Sequence, residues 1–249
     1  MKYGFLGATQ FLTRIPIRLN SAPNLAASVP WFPVIGALIG AIVGAVAAGM
    51  MELVPASVAA GVAVIFGVVL TGAFHEDGLA DTADAMGGWT TEQRREILKD
   101  SRHGSYGVAA LVATIILRIL CVATLSPTAA FGGLIAAHTL GRGAAVGVMG
   151  TVSEVPESGL GADYSRPLSR RAALAGVSAA LIITLLATGW WAGPLVAVTA
   201  LGGALVSLVA KRSFGGISGD ILGAVEQVSE CLVLIVVSGL ALRHQIWWS

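Results

Sequence analysis

Long apolar runs alternate with short polar interruptions along almost the whole chain, and each run is long enough to form a helix. Val34 to Met51 is uncharged and carries Gly36, Gly40 and Gly44 at every fourth position, which predicts a spanning helix with a flat packing stripe. Ala56 to Phe74 then returns across, closing a hairpin at Glu52 and Pro55. Val108–Leu125, interrupted by Arg118, and Thr128–Val152, carrying His138 and Arg142, predict a second hairpin that turns at Ser126-Pro127. Ala172–Trp191 and Pro194–Ala210 predict a third, turning at Gly193-Pro194, and Ile221–Leu242 a last span with Glu226 and Glu230 in its first half. The expected fold class is all-α: a polytopic membrane bundle of about seven transmembrane helices, or about six if the last is only half buried.

Three polar stretches separate these runs: His75–Tyr106, Ser153–Arg171 and Lys211–Asp220. Lys2, Arg14, Arg18 and all the basic residues of the three stretches fall on one side of the bundle, and only the tail residue Arg243 dissents. The positive-inside rule then makes the polar loops cytoplasmic and predicts that they form the active site. The short apolar patch Tyr3–Leu12, broken by Gln10 and followed by Thr13, Arg14 and Ile15-Pro16, predicts an interfacial or re-entrant segment, with no secretory signal peptide evident.

Composition supports the membrane assignment. Of 249 residues 55% are hydrophobic and only 12% charged, against ~25% charged in a soluble domain. The mean hydropathy is +0.82. The expectation is a single integral-membrane catalytic domain over residues 1–249, in the cytoplasmic (inner) membrane, with the lipid bilayer as its partner. A net charge of +1 gives no support for a nucleic-acid partner. Cys121 and Cys231 lie in apolar runs without CxxC spacing and read as buried thiols. The Gly36, Gly40, Gly44 stripe could face a neighbouring subunit of a homo-oligomer, though packing within the bundle is the more common use of such a stripe.

Candidate chemistry concentrates in the first polar stretch. On a helix, Asp77, Asp81 and Asp84 at i, i+4, i+7 share one face, with Glu76 off that face and His75 nearly opposite. Two like charges ~6 Å apart repel by roughly 3 kcal/mol at an effective dielectric of about 20, so a cation is expected there. All-oxygen ligands favour Mg²⁺; the alternative is a merely solvated acidic face. Lys99, Asp100, Ser101 and Arg102 read either as a phosphate grip or as a juxtamembrane charge pair. Gly215, Gly216 and Gly219 would let the backbone approach a ligand, and Asp220 could cap the last helix. Glu226 and Glu230 share a face and should meet a cavity, a cation or a partner. Arg118 and His138 read as substrate groups or as pairing between helices, whereas Arg142 leans towards substrate. The whole fits phosphoryl or nucleotidyl transfer at the cytosolic face, with a transporter as the competing class.

Phe11-Leu12-Thr13-Arg14-Ile15-Pro16, Phe32-Pro33-Val34-Ile35-Gly36, His75 through Asp84, Lys99-Asp100-Ser101-Arg102 and Gly215 through Asp220 with Glu226 and Glu230 closely resemble the cobalamin synthase family, the adenosylcobinamide-GDP ribazoletransferases. The resemblance implies a late step of cobalamin biosynthesis, joining adenosylcobinamide-GDP to α-ribazole or its 5′-phosphate with release of GMP and use of Mg²⁺. The CDP-alcohol phosphotransferases run similar chemistry on a related aspartate motif, but their longer pattern is not found here. The resemblance assigns Asp77, Asp81 and Asp84 to Mg²⁺, and Asp220 with Glu226 or Glu230 to a second cation or the acceptor. Lys99, Ser101, Arg102 and Arg142 would hold phosphates, and His75 and Asp100 are candidate bases. Glu76 stands where an apolar residue is expected, which suggests that its charge is not needed for the reaction. Ala85 replaces a glycine and Ser218 a threonine.

Overall fold

A computed structural model describes residues 2–18, 24–100, 102–152 and 168–248. The helices are α1 (Lys2–Leu12), α2 (Leu25–Ser28), α3 (Phe32–Met51), α4 (Ala56–Thr71), α5 (Phe74–Ala85), α6 (Thr91–Leu98), α7 (Ser105–Ala123), α8 (Pro127–Met149), α9 (Arg170–Thr188), α10 (Ala192–Phe214) and α11 (Gly219–Ala241). Hydroxyl side chains start several of them by accepting from backbone N–H groups: Ser126 from Ala129, Ser169 from Ala172, and Thr90 from Gln93 in a full capping box. The turn between α9 and α10 falls at Gly189, not at Gly193-Pro194. Gly189 adopts φ 60°, ψ −132°, which suits a residue without a Cβ. Pro194 instead sits in the first turn of α10, where its missing N–H has no helical acceptor to lose.

By length and hydropathy four stretches can cross a membrane: Ala26–Met51, Ser105–Ala123, Arg170–Phe214 and Gly219–Ala241. α4 and α5, bent by 89°, make a fifth if counted as one broken span. The expected count of about seven is not confirmed: Arg170–Phe214 is one stretch by this measure but holds both α9 and α10, α4 has only 16 residues, and α8 carries His138 and Arg142. The outer helix faces expose Leu38, Ile65, Ile116, Leu186 and Leu205, apolar surface on a scale that lipid must cover. This is a helical membrane protein. At the end remote from the start of α11, Trp247 and Trp248 donate to the carbonyls of Leu186 (3.2 Å) and Ala187 (2.9 Å), beside Trp190. Tryptophans at that level suit the membrane interface.

α8 is the centre. A helix apolar or small on every side belongs in a core, and Ala129 through Val148 is buried at most positions. Its glycines let neighbours close in from three directions. Gly143 and Gly150 abut Ala180 and Ala173 of α9, and Gly133 abuts Val237 of α11. From the third side α3 lays its own stripe on α8: Gly36 against the His138 carbonyl, Gly40 against Leu134 and Ile135, Gly44 against Phe131. The stripe is therefore used inside the bundle. α1 is too short to cross and docks by Phe11 stacked on Phe32, ring centroids 5.5 Å apart. Cys121 and Cys231 are free and buried.

A Cβ at Gly40 would lie 2.7 Å from the Cα of Ile135, whereas one at Gly49 meets nothing within 4 Å. Gly40→Leu should therefore lower stability in detergent by about 1–3 kcal/mol or more, and Gly49→Leu should leave it unchanged or slightly raised. Thermal unfolding of the two variants side by side measures the difference; equal melting temperatures would remove the close α3–α8 contact.

Candidate active site

The site begins at the break between α4 and α5. Gly72 (φ 71°) ends α4 in the left-handed conformation and Ala73 (φ 57°) repeats it. For a residue with a Cβ that costs roughly 1–2 kcal/mol. The Ala73 N–H still bonds back to the Val68 carbonyl (2.9 Å), and the Ala73 carbonyl accepts from Asp77 (2.9 Å), so one residue closes one helix and opens the next. α5 consequently leaves at 89° and lies across the end of the bundle.

α5 then packs tightly on α11. A Cβ at Gly78 would lie 2.7 Å from the carbonyl oxygen of Asp220, and one at Gly223 would lie 3.1 Å from that of His75. This crossing brings Asp220 to the face that carries Asp77 and Asp81. His103, from the connection into α7, completes the group: Nε2 is 3.5 Å from an Asp77 oxygen and Nδ1 3.5 Å from an Asp81 oxygen. Asp77, Asp81 and His103 each offer one donor atom, all within 4.8 Å of one another. Asp81 is only partly solvated, and its burial, followed by the charges of Asp77 and Asp220, pushes its carboxyl up to about 6. No Lys or Arg pairs with Asp77, Asp81 or Asp220 among the described residues. Clustered carboxylates without a counter-cation, one of them reluctant to ionise, are a donor set that fits a hard divalent ion.

Asp84 stands apart from the expected triad. Its two oxygens accept from the N–H groups of Gly104 (2.6 Å) and Gly107 (2.8 Å), so it caps α7 and ties α5 to it. Asp220 is likewise not the cap of α11: Ser218 accepts from the Ile221 N–H, leaving Asp220 to the acid cluster.

Glu226 and Glu230 are not with the acid cluster. Both are buried and paired with Arg142, and Glu230 also meets His138 and, at 3.2 Å, Arg118. Arg118 reaches on to Glu76 at 3.1 Å, and His75 lies 3.7 Å from Glu226 and 3.4 Å from Arg142. Three carboxylates, two guanidiniums and two imidazoles thus form one interior network linking α5, α7, α8 and α11. The space among them is about 10 Å³, too small for a passage. Arg142 is thus the counter-ion of two buried glutamates. His75 faces this network, away from Asp77 and Asp81. The Glu76 charge, expected from sequence not to be needed for the reaction, pairs with Arg118.

Lys99 is exposed at the end of α6, and Arg102 hydrogen-bonds Asp100 at 2.7 Å on the surface. Those bonds hold the Asp100 carboxyl down at about 2, too acidic for a general base near neutrality. Ser101 lies outside the described residues. Gly215 (φ 77°) is the left-handed cap of α10, and Arg95 fills the space beside it while donating to the Phe214 carbonyl (2.7 and 3.0 Å). Gly216 is buried and Gly219 opens α11. These glycines shape the turn that delivers Asp220. His103, the residue that sequence spacing did not single out, comes from beyond the α6 detour.

A helical membrane bundle with an acid cluster at one end and a sealed charge network beneath it is the layout of a membrane-bound transferase that works on charged substrates at its surface. The chain belongs to the cobalamin-5-phosphate synthase family, whose match covers residues 4–238. It is 38% identical over 244 residues to an adenosylcobinamide-GDP ribazoletransferase of Shewanella amazonensis, covering 93% of each chain. It is 35% identical to the protein of that name in Shewanella frigidimarina, covering 95% of each, and 36% identical to that of Shewanella piezotolerans, covering 94% of this chain and 95% of the relative. No solved structure matches.

Two outcomes follow. A divalent cation held by Asp81 would compete with protons, since that carboxyl is largely neutral below pH about 6 and ionised above it. Mn²⁺ or Mg²⁺ should therefore bind more tightly, and raise the melting temperature more, at pH 7.5 than at pH 5; a pH-independent effect would place the ion elsewhere. In the network, Arg118→Met strands the buried Glu76 carboxylate, Glu230 keeping Arg142 and His138, and should cost about 3–5 kcal/mol, while Glu76→Leu leaves Arg118 paired with Glu230 and should cost much less. Denaturation of both variants reads the contrast.

Proposed function

We propose that Asp77, Asp81, Asp220 and His103 form the active site for joining adenosylcobinamide-GDP to α-ribazole or its 5′-phosphate. The observation that carries this reading is the convergence of carboxylates from α5 and α11, unpaired with any basic side chain among the described residues, in a chain of the cobalamin synthase family. The ribose hydroxyl of the acceptor attacks the corrinoid-side phosphorus of the diphosphate and gives up its proton, the bond from that phosphorus to the bridging oxygen breaks, and GMP leaves carrying that oxygen. One phosphodiester forms.

Asp77, Asp81 and Asp220 would hold Mg²⁺, since oxygen donors suit it and imidazole suits softer ions. When bound, the ion supplies positive charge against the diphosphate and the departing GMP. His103, beside both aspartates yet the poorer Mg²⁺ ligand, is the group to take the hydroxyl proton. Lys99 and Arg102, exposed on the connection between α6 and α7, are available to the substrate phosphates, with Arg102 exchanging Asp100 for phosphate. The basic residues gathered at this end support a cytoplasmic orientation in the inner membrane. Transport is disfavoured, because the interior charges neutralise one another around almost no free space.

The test is turnover in nanodiscs with adenosylcobinamide-GDP and α-ribazole, following GMP and the corrinoid product with and without Mg²⁺. Asp81→Asn should abolish measurable turnover and weaken cation binding together. His103→Ala should lower kcat about 10²–10⁴-fold with cation affinity retained. Full activity of Asp81→Asn at saturating Mg²⁺ would overturn the metal assignment, and loss of cation affinity in His103→Ala would make the imidazole a ligand.

A further inference from the structure

α9 and α10 run in opposite directions over one flank of α8 and leave a groove of about 520 Å³ between them. Gly143, Ala144 and Gly147 form its floor, with Leu181 of α9 and Val196 of α10 among its walls. It is open to the side of the bundle, and even a Cβ added at Gly203 would only just reach the Ala144 methyl, at 3.9 Å, so α10 and α8 leave space between them here. From Val196 to Lys211 it follows α10 for about 22 Å at the helical rise, longer than a ~15 Å hydrocarbon leaflet.

Apart from Thr199, whose hydroxyl donates to the Leu195 carbonyl at 2.8 Å, the polar lining of the groove gathers at one end, beside Thr151. There Ser207 and Lys211, one helical turn apart, enter the lining. The Ser207 hydroxyl is buried and has no hydrogen-bond partner, a state that normally signals a missing one. Lys211 is exposed, and Arg212 with Arg170 and Arg171 lies at the same end, because α9 begins where α10 finishes. None of the four is ion-paired among the described residues.

We propose that this groove binds an anionic phospholipid, with one acyl chain along α8 and the headgroup phosphate at Lys211 and Ser207. A slot with an apolar shaft and a basic mouth complements that one class of molecule along its whole length. The shaft excludes water and a free phosphate has no use for it. The assignment is independent of the reaction proposed above.

Native mass spectrometry of the protein with equal amounts of phosphatidylglycerol and phosphatidylcholine of identical chains tests it. Wild type should retain phosphatidylglycerol in preference, and Lys211→Glu should lower that preference about fivefold or more. Gly203→Leu, which fills the groove, should lose both lipids. Where Gly203→Leu does not fold, Ser207→Ala should still weaken phosphatidylglycerol retention. Equal retention of the two lipids by wild type, or undiminished retention by Gly203→Leu, would overturn the proposal. So would a dimer that Gly203→Leu abolishes without change in bound lipid, which would make a second copy the occupant.

Discussion

Two guanidinium groups stand inside an apolar bundle, and most of the architecture around the site follows from that. Neither Arg118 nor Arg142 can reach water, so each must be met by carboxylates held in place by other helices. Glu226 and Glu230 come from α11, Glu76 from α5, and the histidines from α5 and α8. Removing α7 or α11 would leave a charge in low dielectric without its partner, Glu76 in the first case and Arg142 in the second. The network therefore acts as a registry device: it accepts one relative setting of four helices and penalises the others steeply.

What the network locks is α5, the polar helix that has no apolar face broad enough to anchor itself. Glycine completes the hold. Gly78 and Gly223 let α5 touch the backbone of α11, and Gly107 lets α7 approach the Asp84 carboxylate. His75 and Glu76 point inward to the charges while Asp77, the very next residue, and Asp81, one turn beyond it, face the rim. One short helix thus separates structural ionisable groups from chemical ones by nothing more than rotation about its axis.

The hydrophobic runs made most helices legible, because apolar length and flanking polar residues are properties of contiguous sequence. The shared face of Asp77 and Asp81 was legible for the same reason. Asp84 was misread because periodicity fixes a direction around the helix but not what waits there, and at the end of α5 it is the N-terminus of α7. Glu226, Glu230 and Arg142 stand out in the sequence because a charge in an apolar run signals function or pairing equally well. The packing of α8 against α11 shows the pairing, and it also brings single donor atoms of His138, Glu226 and Glu230 within 4.8 Å of one another. His103 and Asp220 reach Asp77 and Asp81 through tertiary contacts that no local pattern announces. The span count suffers likewise: α4 is a little too short by itself, and α8 is too polar for a hydropathy criterion although it is the most enclosed helix.

The right angle at Ala73 turns α4 and α5 into a crank. Asp81 lies about 12 Å out along the arm at the helical rise, so a 10° roll of α4 about its own axis would sweep its carboxylate through about 2 Å. Metal and substrate geometry tolerate roughly a quarter of that. A membrane helix facing fluid lipid on one side has every opportunity to roll, and the arm would turn that small motion into loss of the reacting geometry. Bolting the arm at its far end to α7, through Asp84, and near its root to α11, through Gly78, removes this freedom while leaving α4 itself in contact with the bilayer.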